Sequence, residues 1–319
     1  MALIDIIIPM YNSEKYIDGL LQTLQTQTFR DFCAVFVDDG SKDNTYQVLQ
    51  QKLAGVDFAY TVIHQENKGL PGARNAGIRG SESPWIVFMD SDDGLDSHYL
   101  EFLYQAVTEN NCNVAACGYQ IVEAEADIRS VSNVEYCCRV FTSSEVIREY
   151  YKNWFGAWAL ILNRRWLEQE GLLFDEVCTY LEDVPFITQV LVHADRAVLM
   201  DAPVYLYYQR PGSLMHTPKI EKYQIALDGF SRMEEKLHAI DNEGAREFFT
   251  IGRARYYLAT LRKAAVQMPY NLFQELCRIV PLEKEKAQFG KLQKKQKLAA
   301  YVYTFSTRLF YYIVRMTTK

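Results

Sequence analysis

The first 117 residues alternate between short apolar runs and amphipathic segments, and this alternation constrains the possible folds more than any other feature of the chain. Five runs rich in apolar and β-branched residues are predicted to be strands: 3–9, 32–37, 59–64, 85–89 and 114–118. Strands that alternate with helices over short connections form a doubly wound α/β sheet with right-handed crossovers. Ligands of such sheets bind outside the carboxyl ends of the strands.

The rest of the chain is predicted to complete this domain and then to become helical. Residues 123–142 show a looser pattern, and a helix is predicted to begin at 143 or 144. Residues 154–163 are mixed and apolar, a second helix is predicted from about 180 to His193, and 197–208 is predicted to be one strand. Beyond 217 the pattern is helical, with breaks before Pro269 and Pro281. We therefore predict an α/β domain over 1–216, with halves of about 1–117 and 118–216, and a C-terminal α-helical region over 217–319.

Two of the predicted strands end in clustered carboxylates. Asp38 and Asp39 end the second strand, and Asp90, Asp92 and Asp93 follow the fourth. Like charges at a strand end need a partner, and a divalent cation such as Mg²⁺ or Mn²⁺ bridging a diphosphate would supply it. The alternative is that these residues are solvated turn acids.

Two further segments offer polar groups at the same edge of the predicted sheet. The loop from Asn67 to Gly72 leads to a helix predicted to begin near Ala73, and Lys68 or Arg74 there could add a cation to an anion site at the helix start. A surface turn and helix cap explains the loop equally well. Tyr11, after Pro9, suits either stacking on a base or packing.

Later in the sequence, two further elements carry candidate groups. Glu182 and Asp183 open a predicted helix, where they are either ordinary helix-start acids or a general base. His216 lies in a loop after Arg210 and Ser213, and it is either a ligand of a metal or phosphate or a residue without such a role.

Composition indicates an ordinary intracellular protein with an unusual tail. Of the 319 residues, 49% are hydrophobic and 23% charged, and the seven Cys show no paired spacing, which favours reduced thiols in the cytoplasm. The N-terminus shows no leader pattern, and no apolar run is long enough to span a bilayer.

The tail carries a positive net charge, in contrast to the rest of the chain. Residues 283–319 contain nine Lys or Arg and two Glu, which gives +7, so the remaining residues carry −13 out of the total of −6. Between 291 and 316 basic and aromatic residues alternate, which favours either peripheral contact with the inner face of a membrane or a helix used for packing or homo-oligomerisation. The acidic body argues against nucleic-acid binding.

Taken together, these motifs resemble glycosyltransferase family 2, a family of inverting enzymes with the GT-A fold, of the type that builds bacterial cell-surface or capsular polysaccharides. The resemblance covers about residues 3–216. It rests on the order and spacing of these segments: 6–12, 25–28, 37–43, 67–69, 73–75, 88–93 and 181–183.

The resemblance implies a role for each matching position. Asp183 would be the general base, with Glu182 beside it, and Asp92 would be the metal ligand, with His216 as a further one. The implied nucleotide-sugar contacts come from both halves of the domain: Pro9, Tyr11, Asn12, Asp39, Asn67, Lys68, Arg74, Asp90, Ser91, Arg210 and Ser213.

The implied reaction moves a sugar from a UDP-sugar to a hydroxyl of a glycan or lipid-linked saccharide, with Mn²⁺ or Mg²⁺ on the diphosphate. The QxxRW element of polysaccharide synthases is not evident, which argues against processive polymerisation. Two other interpretations are a non-catalytic nucleotide-sugar-binding subunit of another transferase and a sugar-phosphate nucleotidyltransferase. The latter would need a Gly-rich basic loop after the first strand, where this chain has residues 9–13.

Overall fold

The structure is a computed structural model that describes residues 2–123, 136–208 and 219–318. Its strands are β1 Ile4–Met10, β2 Phe32–Asp38, β3 Ala59–His64, β4 Trp85–Phe88, β5 Gly94–Leu95, β6 Val114–Ala116, β7 Tyr119–Val122, β8 Cys138–Thr142, β9 Leu160–Asn163, β10 Arg196–Met200 and β11 Tyr205–Tyr208. Its α-helices are α1 Ile17–Gln25, α2 Thr45–Leu53, α3 Gly69–Gly80, α4 Tyr99–Asn110, α5 Ser143–Asn153, α6 Arg164–Gln169, α7 Asp183–His193, α8 Ile220–Leu237, α9 Glu243–Glu247, α10 Arg253–Gln267, α11 Tyr270–Ile279, α12 Lys294–Phe305 and α13 Thr307–Thr317.

An eight-stranded mixed sheet forms the centre of the α/β part, in the order β3-β2-β1-β4-β9-β6-β10-β8. The first four strands in this order are parallel, whereas β9 runs antiparallel to β4 and β6, and β8 antiparallel to β10. All seven residues of β1 are buried, because helices cover both faces of the sheet. A second sheet, in the order β5-β11-β7, lies beside it.

The five strands predicted in the first 117 residues are confirmed, but two predictions further along the chain are wrong. Strand β9 was not predicted, because its four residues, three of them apolar, carry too little periodicity to identify a strand. The single strand predicted over 197–208 is two strands in different sheets, β10 and β11. Pro203 lies between them, and proline cannot donate a hydrogen bond to a sheet ladder.

Helix α3 begins earlier than predicted. It starts at Gly69, so most of the segment predicted to be a loop belongs to its first turn. Pro71 fits there, since the first N–H groups of a helix have no partner within it and proline is tolerated. The early start matters because it fixes the direction of Arg74, which lies inside the helix.

The C-terminal helices share a core with the α/β part. Tyr150 of α5, Ile187 of α7, Phe230 of α8 and Tyr256 of α10 belong to one buried apolar cluster, in which the rings of Phe230 and Tyr256 stack 3.7 Å apart. The breaks predicted at the two prolines are confirmed, since α10 ends before Pro269 and α11 ends before Pro281. The division of the chain near 217 stays a prediction.

Helices α12 and α13 pack on one side only. Tyr303, Phe310 and Val314 are buried against the rest of the helical region. The opposite side exposes apolar side chains: Leu298, Tyr301, Phe305, Leu309, Tyr312, Ile313 and Met316. Among the described residues, no helix is long and apolar enough to cross a membrane.

Candidate active site

The carboxyl ends of β1, β2 and β3 bring the first group of predicted site residues together. Register aligns Met10 with Asp38, and Asp38 with His64, so the loops after the three strands leave the sheet side by side. Asp38 itself is fully buried and accepts a hydrogen bond from Nδ1 of His64 at 2.6 Å. It therefore stabilises the strand end, and the next residue, Asp39, is the one placed at the site.

Asp39 is the hydrogen-bonding centre of this group. Its Oδ1 accepts from Nε2 of Gln65 at 2.7 Å and from the backbone N–H of Lys68 at 2.8 Å. Its carbonyl oxygen accepts from Nδ2 of Asn67 at 2.9 Å. Gly40 follows with φ of 67°, and a Cβ there would lie 2.9 Å from the backbone nitrogen of Asn67, so only glycine lets the two loops approach this closely.

The segment after β1 forms the wall beside Asp39. Pro9 is buried within the strand, and Tyr11 is 44% exposed. Asn12 adopts the left-handed region with φ of 52°, donates its N–H to Oγ of Ser41 and accepts from the backbone N–H of Lys42. A short polar side chain tolerates that conformation by bonding locally, and the result is an exposed Tyr11 ring on an anchored loop.

Arg74 joins the two halves of the domain. It is only 1% exposed, and its guanidinium donates to three carboxylates: Nη2 to Oδ1 of Asp90 at 2.9 Å, and Nη1 to Oε1 of Glu182 at 3.0 Å and to Oδ1 of Asp183 at 2.5 Å. Glu182 and Asp183 lie 108 and 109 positions after Arg74 in the sequence. The planar, forked guanidinium suits such multiple recognition, whereas lysine would not.

Because three carboxylates surround one guanidinium, the cluster has an excess of negatively ionisable groups. Burial and then the neighbouring Asp183 raise the pKa of Glu182 to about 7, against the opposing effect of Arg74. Burial also raises the pKa of Asp183, again opposed by Arg74 and reinforced by Asp90. Burial alone would lower the pKa of Arg74, but the three carboxylates outweigh it and hold that pKa above its usual range. Carboxylates with raised pKa values are suited to accept a proton.

The start of α7 is held in a strained geometry. Leu181 adopts φ of 54°, which is unfavourable for a bulky side chain, immediately before Glu182 and Asp183. The second carboxylate oxygen of Asp183, Oδ2, accepts from the backbone N–H of Ala157 at 3.2 Å. Strain of this kind persists only where the surroundings enforce it, and it concentrates at functional sites.

The carboxylates of the acidic loop after β4 have different surroundings in the folded chain. Asp90 contacts Arg74, whereas Asp93 is 7% exposed and is tied to β11 by the O–H of Tyr205 at 2.8 Å and the N–H of Tyr208 at 2.9 Å. Burial, Asp90 and Asp92 raise the pKa of Asp93 to about 8. Asp93 therefore has a structural role that its sequence position did not reveal.

The same loop was predicted to hold a metal ion. Among the described residues, no group of three or more His, Cys, Asp or Glu is arranged to bind one. Asp90 and the partly exposed Asp92 are the carboxylates available in the loop. Mg²⁺ in phosphate sites is usually held by one or two carboxylates plus the substrate's phosphates, so this small oxygen donor set fits a cation that binds with a diphosphate.

Three of the predicted site residues, Arg210, Ser213 and His216, lie outside the described residues. The described chain places the others along one edge of the large sheet. Ser91 joins them, because its hydroxyl lies 2.8 Å from the hydroxyl of Ser13 and so links the acidic loop to the loop after β1.

Sequence reasoning missed four contributors to the site. Gln65 supports Asp39, Ser13 pairs with Ser91, Tyr205 anchors the acidic loop, and the N–H of Ala157 orients Asp183. A backbone N–H leaves no signal in the sequence, and Tyr205 lies 112 residues from its partner Asp93. Ser13, next to Asn12, and Gln65, two residues before Asn67, are close enough to predicted site residues to have been considered.

A cavity of about 430 Å³ opens farther along the same edge, at the carboxyl ends of β6 and β10. Tyr119 and Phe155 give it aromatic walls, and Arg139, Asn153 and Asp201 give it polar groups. Phe155 lies two residues before Ala157, the residue bonded to Asp183, so the cavity adjoins the carboxylate cluster along the chain.

Comparison with known proteins identifies the class. A family model described as "Glycosyl transferase family 2" matches residues 5–170, which is more than half of the chain. The chain therefore belongs to glycosyltransferase family 2, which confirms the resemblance seen in its motifs.

Curated relatives carry related names. The chain is 30% identical over 234 residues to "Uncharacterized glycosyltransferase EpsJ" of Bacillus subtilis, covering 72% of this chain and 66% of EpsJ. It is 28% identical over 250 residues to "Glycosyltransferase GlyA" of Streptococcus pneumoniae, covering 76% of this chain but only 35% of GlyA. The chain thus spans just under two thirds of EpsJ and about a third of GlyA.

The fold matches solved structures over the whole chain. The S. aureus TarS fragment 1–349, in complex with UDP-GlcNAc, aligns with a TM-score of 0.70 at 20% identity, covering 100% of this chain and 91% of that one. This likeness confirms the predicted GT-A fold with a helical C-terminal region.

Proposed function

We propose that this glycosyltransferase moves a sugar from a UDP-sugar to an acceptor hydroxyl in a single displacement that inverts the anomeric centre, with Asp183 as the general base. The observation that carries the proposal is the carboxylate cluster around Arg74. It joins Asp90, on the nucleotide side of the sheet, to Glu182 and Asp183 at the start of α7.

The nucleotide would occupy the edge formed by the loops after β1, β2 and β3. The exposed ring of Tyr11 suits stacking on the uracil, and a carboxylate such as Asp39 suits a base N–H. The side-chain amide of Asn67 and the backbone N–H of Lys68 both hydrogen-bond to Asp39, so two further polar groups lie beside the same edge. The TarS structure with UDP-GlcNAc supports the choice of a UDP-sugar over other donors.

We assign Mn²⁺ or Mg²⁺ to the acidic loop, with Asp92 as its ligand and His216, outside the described residues, as a further one. Such a cation, when bound, stabilises negative charge on the leaving diphosphate. A distant neighbour of similar fold, the mannosyltransferase PcManGT from Pyrobaculum calidifontis, has been solved with GDP-Man and Mn²⁺. Asp90 has a different role from that of Asp92, since its Oδ1 accepts a hydrogen bond from Arg74.

Asp183 is fixed for proton transfer by two donors. Arg74 holds Oδ1 and the N–H of Ala157 holds Oδ2, so the carboxylate cannot rotate freely. Burial raises its pKa above that of an ordinary aspartate, and a higher pKa makes the carboxylate a stronger base while Arg74 keeps it ionised. Glu182 accepts from the same guanidinium, so gain or loss of a proton on Glu182 changes the net charge of the Glu182–Asp183 pair.

We place the acceptor in the 430 Å³ cavity beside β6 and β10. Aromatic faces such as those of Tyr119 and Phe155 suit the apolar side of a pyranose ring, and Asn153 and Arg139 suit its hydroxyl groups. The names of several relatives concern cell-surface polymers, among them "Teichoic acid poly(glycerol phosphate) polymerase" of Staphylococcus epidermidis. A surface glycan or lipid-linked saccharide is therefore the acceptor class we propose.

The variant Asp183→Asn tests the base. It keeps the shape of the side chain but cannot accept the proton, so transfer should fall about 100-fold or more while UDP affinity stays within roughly threefold. Thermal-shift measurements with UDP-Glc, UDP-Gal, UDP-GlcNAc, UDP-GalNAc and UDP-GlcA in the presence of Mn²⁺ identify the donor. The rate is measured as the release of UDP when the sugar is transferred to water or to an acceptor. Asp195→Asn, at an exposed position beyond the other end of α7, is the matched control and should behave as wild type.

Transfer by Asp183→Asn at the wild-type rate would rule out Asp183 as the base. If none of the five UDP-sugars stabilised the wild-type protein, the donor assignment would fail. The variant Asp92→Asn tests the metal proposal separately from the base and the donor. Added Mn²⁺ should strengthen donor binding in the wild-type protein but not in that variant.

We further propose that the exposed side of α12 and α13 lies on the inner face of a membrane, near lipid-linked acceptors. Phe305 is 84% exposed, Met316 69% and Leu298 66%, on helices that also carry several basic residues. Because the other side of these helices is part of the core, deleting the tail would unfold the region, and point variants are the better test.

The triple variant Leu298→Ser, Phe305→Ser and Met316→Ser should lose co-sedimentation with phosphatidylglycerol vesicles. Val177→Ser, at an apolar position that is 70% exposed on a loop of the α/β part, is the control and should bind as wild type. Equal vesicle binding by both variants would refute the membrane proposal. A change of oligomeric state in the triple variant, with vesicle binding intact, would instead assign this side to a homo-oligomer.

A further inference from the structure

A second cavity, of about 340 Å³, is lined mainly by residues of the C-terminal helices, beyond the segment 5–170 that the family model matches. The end of α5 and one side of α10 form most of its wall, and α12 and Thr318 complete it. Four basic residues line it: Lys152, Arg255, Arg262 and Lys263. Among the described residues that line this cavity there is no Asp or Glu.

Arg255 is the built element of this basic cavity. It is 4% exposed, and its Nη1 donates to the carbonyl oxygen of Arg148 at 2.8 Å. Its Nε has no hydrogen-bond partner among the described residues, although it is buried. A buried guanidinium with an unsatisfied N–H is costly unless an acceptor reaches it.

The other members add charge and polar capacity. Burial lowers the pKa of Lys263 to about 8, and burial lowers the pKa of Arg255 as well. Arg262 is exposed at the mouth, and Oε1 of Gln296 is buried without a partner in the described chain. The cavity thus holds a buried donor on Arg255 and a buried acceptor on Gln296, neither of which has a partner among the described residues.

Carboxylates near the basic cavity neutralise it only in part. Glu149 pairs with Lys152 at 3.1 Å, and Glu247 pairs with Arg148 at 3.0 Å. Their effects on Arg255 are opposed by burial and by Arg148. Arg255, Arg262 and Lys263 still contribute positive charge to the lining, and Nζ of Lys263 also lies 5.7 Å from the centroid of the Tyr180 ring, outside the cavity.

The geometry points to a binding site for a phosphate-bearing ligand in the basic cavity, with Arg255 as the central donor and Arg262 and Lys263 closing over the anion. A phosphate offers several acceptor oxygens, which a guanidinium binds through two parallel N–H groups. Trp154 and Leu258, also in the lining, supply an apolar wall for the organic part of the ligand. This inference does not rest on the proposed donor or base, because none of its residues belongs to the site on the sheet.

The test uses the full-length chain and three variants. Arg262→Gln and Lys263→Gln remove one charge each near the opening, and Arg255→Lys keeps the buried charge but loses the second parallel N–H. Arg278→Gln, at an exposed position on α11, is the matched control. Inorganic phosphate and glycerol 1-phosphate, compared with chloride at equal ionic strength and with UDP saturating the sheet site, are the soluble probes. Phosphatidylglycerol vesicles, compared with phosphatidylcholine, are the lipid probe.

We expect the soluble phosphates to raise the Tm of the wild-type protein and of Arg278→Gln by about 2 °C or more. The affinity should weaken at least about tenfold in the three cavity variants. A response to vesicles that Arg262→Gln loses, without a response to soluble phosphate, would support the same site with a lipid headgroup as ligand. If the cavity variants respond to every probe as Arg278→Gln does, the site does not exist. UDP-sugar turnover, measured in parallel, reports separately on the proposed catalytic function.

Discussion

Replacing Arg74 by glutamine should expose how strongly one buried cation holds the two halves of the α/β domain together. The side chain is 1% exposed and contacts Asp90, Glu182 and Asp183, whose side chains are 26%, 12% and 22% exposed. Unit charges about 4 Å apart attract by about 4 kcal/mol at an effective dielectric constant of about 20. Removing one partner of a buried ion pair destabilises proteins by about 3–5 kcal/mol, so we expect Arg74→Gln to lose that much near pH 8.

The loss should shrink as the pH falls. Without the guanidinium, the folded-state pKa values of Glu182 and Asp183, which burial already raises, rise further, while their values in the unfolded chain do not change. A carboxyl group whose pKa is raised by folding lowers stability as the pH rises from its unfolded pKa, about 4, through its folded pKa. Each such group adds a slope of up to about 1.4 kcal/mol per pH unit. Glu182, with a pKa of about 7 even beside Arg74, should contribute over the widest window.

Urea unfolding at about pH 5.5 and about pH 8 measures both effects without requiring a substrate. Arg79→Gln is the matched control, because Arg79 lies on the same helix and pairs with Glu176, but its side chain is 57% exposed. Exposed pairs contribute about 0–1 kcal/mol, so the control should change little at either pH. A loss for Arg74→Gln that is the same at both pH values would refute the argument that Arg74 sets the charge state of the carboxylate cluster.

Two further predictions concern packing around the site. Gly77→Ala should destabilise the protein by about 1–3 kcal/mol, because a Cβ there would lie 2.2 Å from Cγ2 of the buried Ile7, whereas Gly19→Ala, with nothing within 4 Å, should be neutral or stabilising in the same urea titration. Tyr205→Phe removes the O–H that donates to the buried Asp93 and should reduce the free energy of unfolding by about 1–3 kcal/mol. Equal unfolding midpoints for the two glycine variants, or an unchanged midpoint for Tyr205→Phe, would contradict these contacts.

The fold of the first 117 residues could be predicted from the sequence because its elements are local. Each of its strands is an apolar run bounded by turn residues, and parallel strands bring their carboxyl ends to one edge whatever the details of the loops. Asp39, Asn67 and Lys68 therefore meet where their positions at the strand ends predicted they would.

The remaining parts were not predictable, because they depend on contacts between distant residues or on backbone groups. Strand β9 is four residues long, and its place between β4 and β6 is decided by the sheet rather than by its own pattern. The strained φ of Leu181 and the N–H of Ala157 that orients Asp183 likewise have no sequence signature.

By itself, the sequence determined the alternation of strands and helices, the carboxylates at the strand ends, and the family to which the chain belongs, since all three are written in local order and spacing. The tertiary structure alone decided that one guanidinium serves carboxylates from both halves of the domain and that the tail helices bury one side and expose the other. It also gathered four basic residues from two helices around one cavity. The physical reason is that charge and burial act through space, and the chain brings those groups together only when it folds.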